Sequence, residues 1–151
     1  MSPDTLRFVE AAYGALEDRG LEAFAEYWAD DIEWHAIGGR FRGGDAGRAY
    51  LQEWFKYFAD LKVEALEFID VGNDRVVVWV RISGRATGSG IEPPPAYFAT
   101  LVEIRDGKLA RAVEYSTLPE AVEAASAGRG GVSRRPPSAP PGGAPGESGP
   151  A

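Results

Sequence analysis

Ala96-Tyr97-Phe98-Ala99-Thr100-Leu101-Val102-Glu103-Ile104-Arg105-Asp106-Gly107-Lys108-Leu109-Ala110-Arg111-Ala112-Val113-Glu114-Tyr115-Ser116 decides the fold. Two extended stretches flank Asp106-Gly107, a pair that closes tight antiparallel turns because both residues tolerate positive φ. The stretch therefore predicts a long hairpin, with strands near 96–105 and 108–117. Upstream, Arg75-Val76-Val77-Val78-Trp79-Val80 begins a third strand, near 75–85. Gly88-Ser89-Gly90 and Pro93-Pro94-Pro95 separate it from the hairpin, because proline cannot donate to a central ladder.

Further upstream the pattern is extended from Leu61. Leu61, Val63 and Ala65 alternate with polar residues, whereas Leu66 and Phe68 are in the opposite phase. This predicts a bulge near Ala65-Leu66 that bends the strand. Before it, Tyr50, Leu51, Trp54, Phe55 and Phe58 form an aromatic stripe on a helix opened by Asp45. The run Gly38-Gly39-Arg40-Phe41-Arg42-Gly43-Gly44 reads as a loop. It is not a phosphate loop, since neither a GK[ST] ending nor a dinucleotide fingerprint accompanies it.

At the start of the chain, Leu6, Val9, Tyr13 and Leu16 recur at helical spacing, with Ser2 as the cap and Pro3 in the first turn. Leu21, Phe24 and Trp28 predict a short second helix that ends at Asp30-Asp31. Ile32, Trp34 and Ala36 then alternate with Glu33 and His35 in a short strand. A last helix is expected from Pro119 to about Ala125. Helices gathered against a bent antiparallel sheet make an α+β fold, with one domain over residues 1–126.

From residue 127 the composition turns to Gly, Pro, Ser and Arg. Such a segment buries too little apolar surface to offset an ordering entropy of roughly 1–2 kcal/mol per residue, so 127–151 is expected to be a disordered tail. A proline-rich ligand for a partner is the alternative. The tail holds Arg129, Arg134 and Arg135 against Glu147, so the net charge of −7 becomes −9 over the preceding residues. A body so acidic repels phosphate backbones, and no nucleic-acid partner is expected. With 44% hydrophobic residues the chain has ample material for a core, which excludes disorder throughout.

The absence of cysteine removes disulfides, thiolate metal sites and a cysteine nucleophile. No basic leader with an apolar run opens the sequence, and no run of 18 apolar residues occurs, so a cytoplasmic protein without a membrane partner is expected.

Several local sequences, in this order, resemble the SnoaL-like polyketide cyclases of the NTF2-like, ketosteroid-isomerase-like superfamily. They are Phe24-Ala25-Glu26-Tyr27-Trp28-Ala29-Asp30-Asp31-Ile32-Glu33-Trp34-His35, Phe41-Arg42-Gly43-Gly44-Asp45-Ala46, Phe68 to Val78, and Arg105 to Leu109 running into Glu114-Tyr115. The resemblance covers about residues 4–125. It implies a cone in which three N-terminal helices pack on a strongly curved antiparallel sheet and enclose a pocket. It implies fold more than chemistry, because this superfamily holds isomerases, cyclases, dehydratases, epoxide hydrolases and members without catalysis.

In such a cone, strand alternation turns Trp34 and Ala36 inward, with Phe98, Thr100 and Val102, and Ala110, Ala112, Glu114 and Ser116. Small side chains beneath aromatic helices leave a cavity, unless Tyr50, Trp54 and Phe58 lean across and fill it. The expected ligand walls are Trp34, Tyr50, Trp54, Phe58, Phe98, Thr100 and Ala112.

Three residues are candidates for catalysis. Glu114 is a carboxylate on a face of small residues. Desolvated there, it suits a general acid or base; the alternatives are an ion pair with an arginine such as Arg85 or Arg111, or exposure at the mouth. Tyr13 corresponds to the proton-donating tyrosine of the ketosteroid isomerases, if one residue is deleted after it, and is otherwise a core tyrosine. His35 is the single histidine and by phase points away from Trp34. A proton-transfer role near the cone mouth remains open to it, but no second ligand at metal-binding spacing supports a metal site.

The family's isomerases carry an aspartate base where this chain has Ala36, and a second oxyanion donor where it has Thr100, which argues against steroid isomerisation. An Asp-Arg-Asp set of the epoxide-hydrolase kind, and a nucleophile triad, are equally hard to assemble.

Val77, Trp79, Tyr97, Leu101, Val113 and Tyr115 have the outward phase, so the convex face is also apolar. The resemblance implies a homodimer through it; cover by the terminal helix or the tail is the alternative. Two functions follow. One is a cofactor-independent enzyme that transfers protons on a small apolar carbonyl compound. The other is a non-catalytic ligand-binding or dimerisation module.

Overall fold

The computed structural model describes residues 3–129, so Ser2 as a cap, and the tail beyond Arg129, lie outside the described residues. The elements are α1 (Pro3–Arg19), α2 (Leu21–Ala25), β1 (Trp28–Ala36), β2 (Gly39–Arg42) and α3 (Gly44–Tyr57). They continue with β3 (Lys62–Gly72), β4 (Arg75–Ser83), β5 (Ala96–Arg105), β6 (Lys108–Tyr115) and α4 (Leu118–Arg129). The six strands form one curved sheet in the order β2-β1-β6-β5-β4-β3. No helix among the described residues is long and apolar enough to cross a membrane.

The hairpins follow from their turns. Asn73 and Asp74 have φ of 58° and 59° between β3 and β4, and Asp106 and Gly107 have 53° and 74° between β5 and β6. Two consecutive positive φ values match the right-handed twist of the flanking strands. The bulge expected in β3 is present as a register shift between Ala65 and Glu67.

Three local expectations are corrected. Trp28 opens β1 instead of closing a second helix, and α2 ends at Ala25. Trp28 pairs with Leu109, and the amide of Leu109 donates to the carbonyl of Tyr27 at 2.9 Å, so pairing with β6 overrides local helix preference. That pairing is parallel, which makes the sheet mixed instead of wholly antiparallel. The expected loop over 38–44 contains the edge strand β2, which folds back on β1 through Ile37-Gly38 and places Phe41 opposite Trp34.

A bulge at the start of β6 changes one further phase. Glu103 pairs with Arg111 and Ile104 with Leu109, so Ala110 has no partner in that register. Leu109, not Ala110, joins the inward cluster, while Ala112 keeps its inward place. Ser116 lies past the end of β6 and is exposed.

The sheet separates two cores. On the concave side Val9, Ala12 and Tyr13 of α1 meet Phe24, Trp28, Ile32, Trp34, Val76, Val78, Val80, Val102 and Ala112. On the convex side α4 lays Ala121 and Ala125 over Val77, Ala99, Leu101, Val113 and Tyr115. The start of α4 is fixed by a reciprocal cap: Glu120 N donates to Thr117 Oγ1 at 3.3 Å, and Thr117 N to Glu120 Oε1 at 3.1 Å. The terminal helix thus takes much of the face expected to be bare. Trp79 and Tyr97 stack at 5.7 Å beside it, with Tyr97 45% exposed.

Gly47 sets how closely α3 approaches the sheet. A Cβ there would come 2.5 Å from a ring carbon of Phe41 and 2.9 Å from one of Trp28. Gly47→Ala gains about 1 kcal/mol of helix propensity but overpacks this contact by about 1–3 kcal/mol. Net destabilisation is expected, read as a lower urea midpoint with an unchanged m-value.

Candidate functional site

The centre of the concave face is built from four cross-strand pairings. Ala112 on β6 lies between Trp34 on β1 and Val102 on β5, Glu114 is opposite Thr100, and Trp34 is opposite Phe41. Because Ala112 is small, the Trp34 indole leans over β6 and its Nε1 donates to Glu114 Oε2 at 2.8 Å. The amide of Ile37, in the turn after β1, donates to Glu114 Oε1 at 3.1 Å. Two neutral donors therefore hold the carboxylate, one on each oxygen.

Neither arginine considered as its partner reaches it. Arg85 pairs with Asp60 at 3.2 Å and Arg111 with Glu33 at 3.9 Å. Among the described residues Glu114 forms no ion pair, which removes the salt-bridge alternative. Burial pushes its carboxyl above the usual range, and the bonds from Trp34 and Ile37 oppose that rise. Although it is deeply surrounded by protein atoms, Glu114 keeps intermediate solvent exposure, unlike its neighbours Ala112 and Thr100.

Aromatic rings form the ceiling. Tyr13 lies 5.1 Å from Phe24, Phe24 is 6.2 Å from Trp34, Trp34 stacks on Phe41 at 5.8 Å, and Phe41 is 5.4 Å from Tyr50. The Tyr13 hydroxyl and Thr100 Oγ1 are buried without a well-formed hydrogen bond, although the two are neighbours. Burial raises the Tyr13 phenol far above its ordinary value; the Glu114 charge adds to the rise, and Thr100 opposes it.

Of the residues expected at the site, Glu114, Tyr13, Trp34, Thr100 and Ala112 converge here. Tyr50 is half-buried, its phenol raised mainly by burial and also by Glu114, and it abuts Gly38 and Gly39. Phe98 is half-buried against the same cluster. Trp54 and Phe58 stack on each other at 6.1 Å, with Trp54 39% exposed, so they stand at the outer edge instead of over Glu114.

His35 is not brought to this centre. Its register partners are Arg40 and Val113, and its Nε2 lies 3.2 Å from Glu33 Oε2; Glu33 also faces Arg42 through Oε2 and Arg111 through Oε1. Burial lowers its pKa, against the pull of Glu33.

Sequence reasoning missed Phe24, Trp28, Phe41 and the Ile37 amide. A signal for Phe41 existed, since Gly39-Arg40-Phe41-Arg42 alternates directly after a glycine-containing turn. A separate groove of about 480 Å³, lined by Trp28, Asp30, Arg42, Gly43, Asp45 and Arg48 among others, contains none of the expected site residues.

Solved structures share this architecture. They include TerC co-crystallised with polyporic acid (22% identity over 79% of this chain and 98% of that one, TM-score 0.63). An NTF2-like protein of unknown function from Burkholderia pseudomallei superposes with TM-score 0.65 (21% identity, 82% and 97% coverage). A polyketide cyclase candidate from Sinorhizobium meliloti superposes with TM-score 0.59 (26% identity, 76% and 95% coverage). No curated protein matches the chain. The model of the SnoaL-like domain matches residues 9–112, from within α1 to Ala112 and two residues short of Glu114. By fold and by this match, the chain belongs to the SnoaL-like domain family.

Proposed function

We propose that the chain binds a small, mainly apolar carbonyl compound in the cone and moves a proton on it, with Glu114 as acid or base and no cofactor. The observation that carries this reading is a carboxylate among aromatic rings, without an ion pair among the described residues, that keeps accessible surface. Two fixed donors orient it, and its raised pKa strengthens it as a base relative to an exposed glutamate. Tyr13 and Thr100, neighbouring hydroxyls without a well-formed hydrogen bond among the described residues, would meet the substrate oxygen. TerC, which shares this fold, is seen with polyporic acid, and this supports ligand binding by the fold.

The test is exchange of α-protons of hydrophobic ketones in D2O, followed by NMR, after a thermal-shift screen of ketones, polyketide fragments and steroids. A ligand held about 100-fold above its dissociation constant adds roughly 2.7 kcal/mol of stability. Exchange catalysed by the protein supports the reading. Because the base must be ionised, the rate should rise with pH through a midpoint above the ordinary glutamate range. Trp34→Phe removes one of the two donors that favour the ionised form, so that midpoint should move to higher pH. An unmoved pH profile would show that Trp34 serves only as a wall.

A second reading, a non-catalytic ligand-binding module, draws on both Glu114 oxygens already accepting hydrogen bonds. It predicts thermal stabilisation by ligands without exchange. Homodimerisation through the convex face belongs to the proposal too, now confined to the Trp79–Tyr97 stack beside α4. Tyr97→Glu should then reduce the sedimentation mass from dimer to monomer.

A further inference from the structure

Glu114 is a half-buried carboxyl set among protein atoms, without a cationic partner among the described residues. The two arginines considered as its partners are engaged elsewhere: Arg111 on Glu33 and Arg85 on Asp60. What surrounds the carboxylate is neutral: the Trp34 indole and the Ile37 amide as donors, the nearby Tyr13 and Tyr50 rings, and Phe41 packed against both Trp34 and Tyr50. Ring faces carry negative potential and add to that of the carboxylate.

A neutral ligand that displaces water from such a site leaves the charge less solvated than before. A protonated amine does the reverse. Its N–H donates to a free lone pair of Glu114, its charge answers the carboxylate at low dielectric, and its alkyl substituents lie against the rings. The net charge of −7 enriches cations around the whole molecule.

We propose that the cone binds protonated secondary or tertiary amines with an apolar body, seating the ammonium on Glu114. This rests on the reading that ligands reach Glu114 from the mouth. An amine so bound occupies the base and therefore competes with a carbonyl substrate.

The test compares N,N-dimethylbenzylamine with isobutylbenzene, its neutral carbon isostere, and with benzylacetone, by calorimetry and NMR on the full chain at neutral pH. The amine should bind at least tenfold more tightly than isobutylbenzene and displace benzylacetone. Equal affinity of amine and isostere, with benzylacetone still bound, overturns this inference and leaves the proposed function standing. Binding of none of the three overturns both. Glu114→Gln, if folded by circular dichroism, should remove the preference for the amine while keeping isobutylbenzene binding; a preference that persists places the ammonium elsewhere and sinks the proposal.

Discussion

Glu114→Gln is expected to lower the rate of ketone proton exchange about 10²–10⁴-fold while the domain remains folded. The amide cannot take a proton, and it matches its surroundings poorly. Its oxygen accepts from either Trp34 Nε1 or the Ile37 amide, and its NH2 then opposes the other donor. A pH signature separates loss of the base from general damage. Folded Glu114 has a raised pKa, so its contribution to stability is fully present below the unfolded pKa and is lost as pH rises through the folded one. The glutamine variant has no such loss. Its melting temperature relative to the wild type should therefore climb as pH rises above the ordinary glutamate range. A difference that stays flat with pH would mean that the Trp34 and Ile37 hydrogen bonds offset burial in full and that the carboxyl is not raised.

The second large effect is expected at Phe24, which is 1% exposed and touches Tyr13, Trp28 and Trp34 edge-on or tilted. It is the keystone between α1, α2 and β1, so Phe24→Ala leaves a void that three rings on different elements cannot collapse into together. The cost should be about 3–5 kcal/mol, out of about 5–15 kcal/mol for a domain of this size. The melting temperature should fall by roughly 10–20 °C. Trp34 would also lose a wall, so surviving folded protein should hold Glu114 less firmly and bind ligands more weakly. Differential scanning calorimetry measures the first effect and thermal shift with benzylacetone the second. A fall of only a few degrees would show that the rings repack.

The parts of this architecture that sequence could reveal are those fixed by local rules. The spacing of Leu6, Val9, Tyr13 and Leu16 gave α1, the Asp106-Gly107 turn gave the β5–β6 hairpin, and the phase change after Ala65 gave the bulge in β3. Alternation also turned Glu114 inward, because the register shift in β6 occurs before Arg111 and leaves the later phase untouched. The same shift is invisible in the sequence and exchanged Ala110 for Leu109. The parallel pairing of β1 with β6 was equally hidden, since its cause is a partner about 80 residues away, as the 77- and 80-residue separations of the Glu114 bonds illustrate. That pairing brings Trp34 within reach of Glu114. The carboxylate's inward place was therefore legible, and the donors that hold it were not.

The most direct measurement is a ¹³C NMR titration of the Glu114 side-chain carboxyl, with and without benzylacetone. The account predicts a midpoint above that of ordinary glutamates and a carboxyl resonance that moves when the ketone binds. A midpoint in the ordinary range, with a resonance indifferent to the ketone, would contradict it.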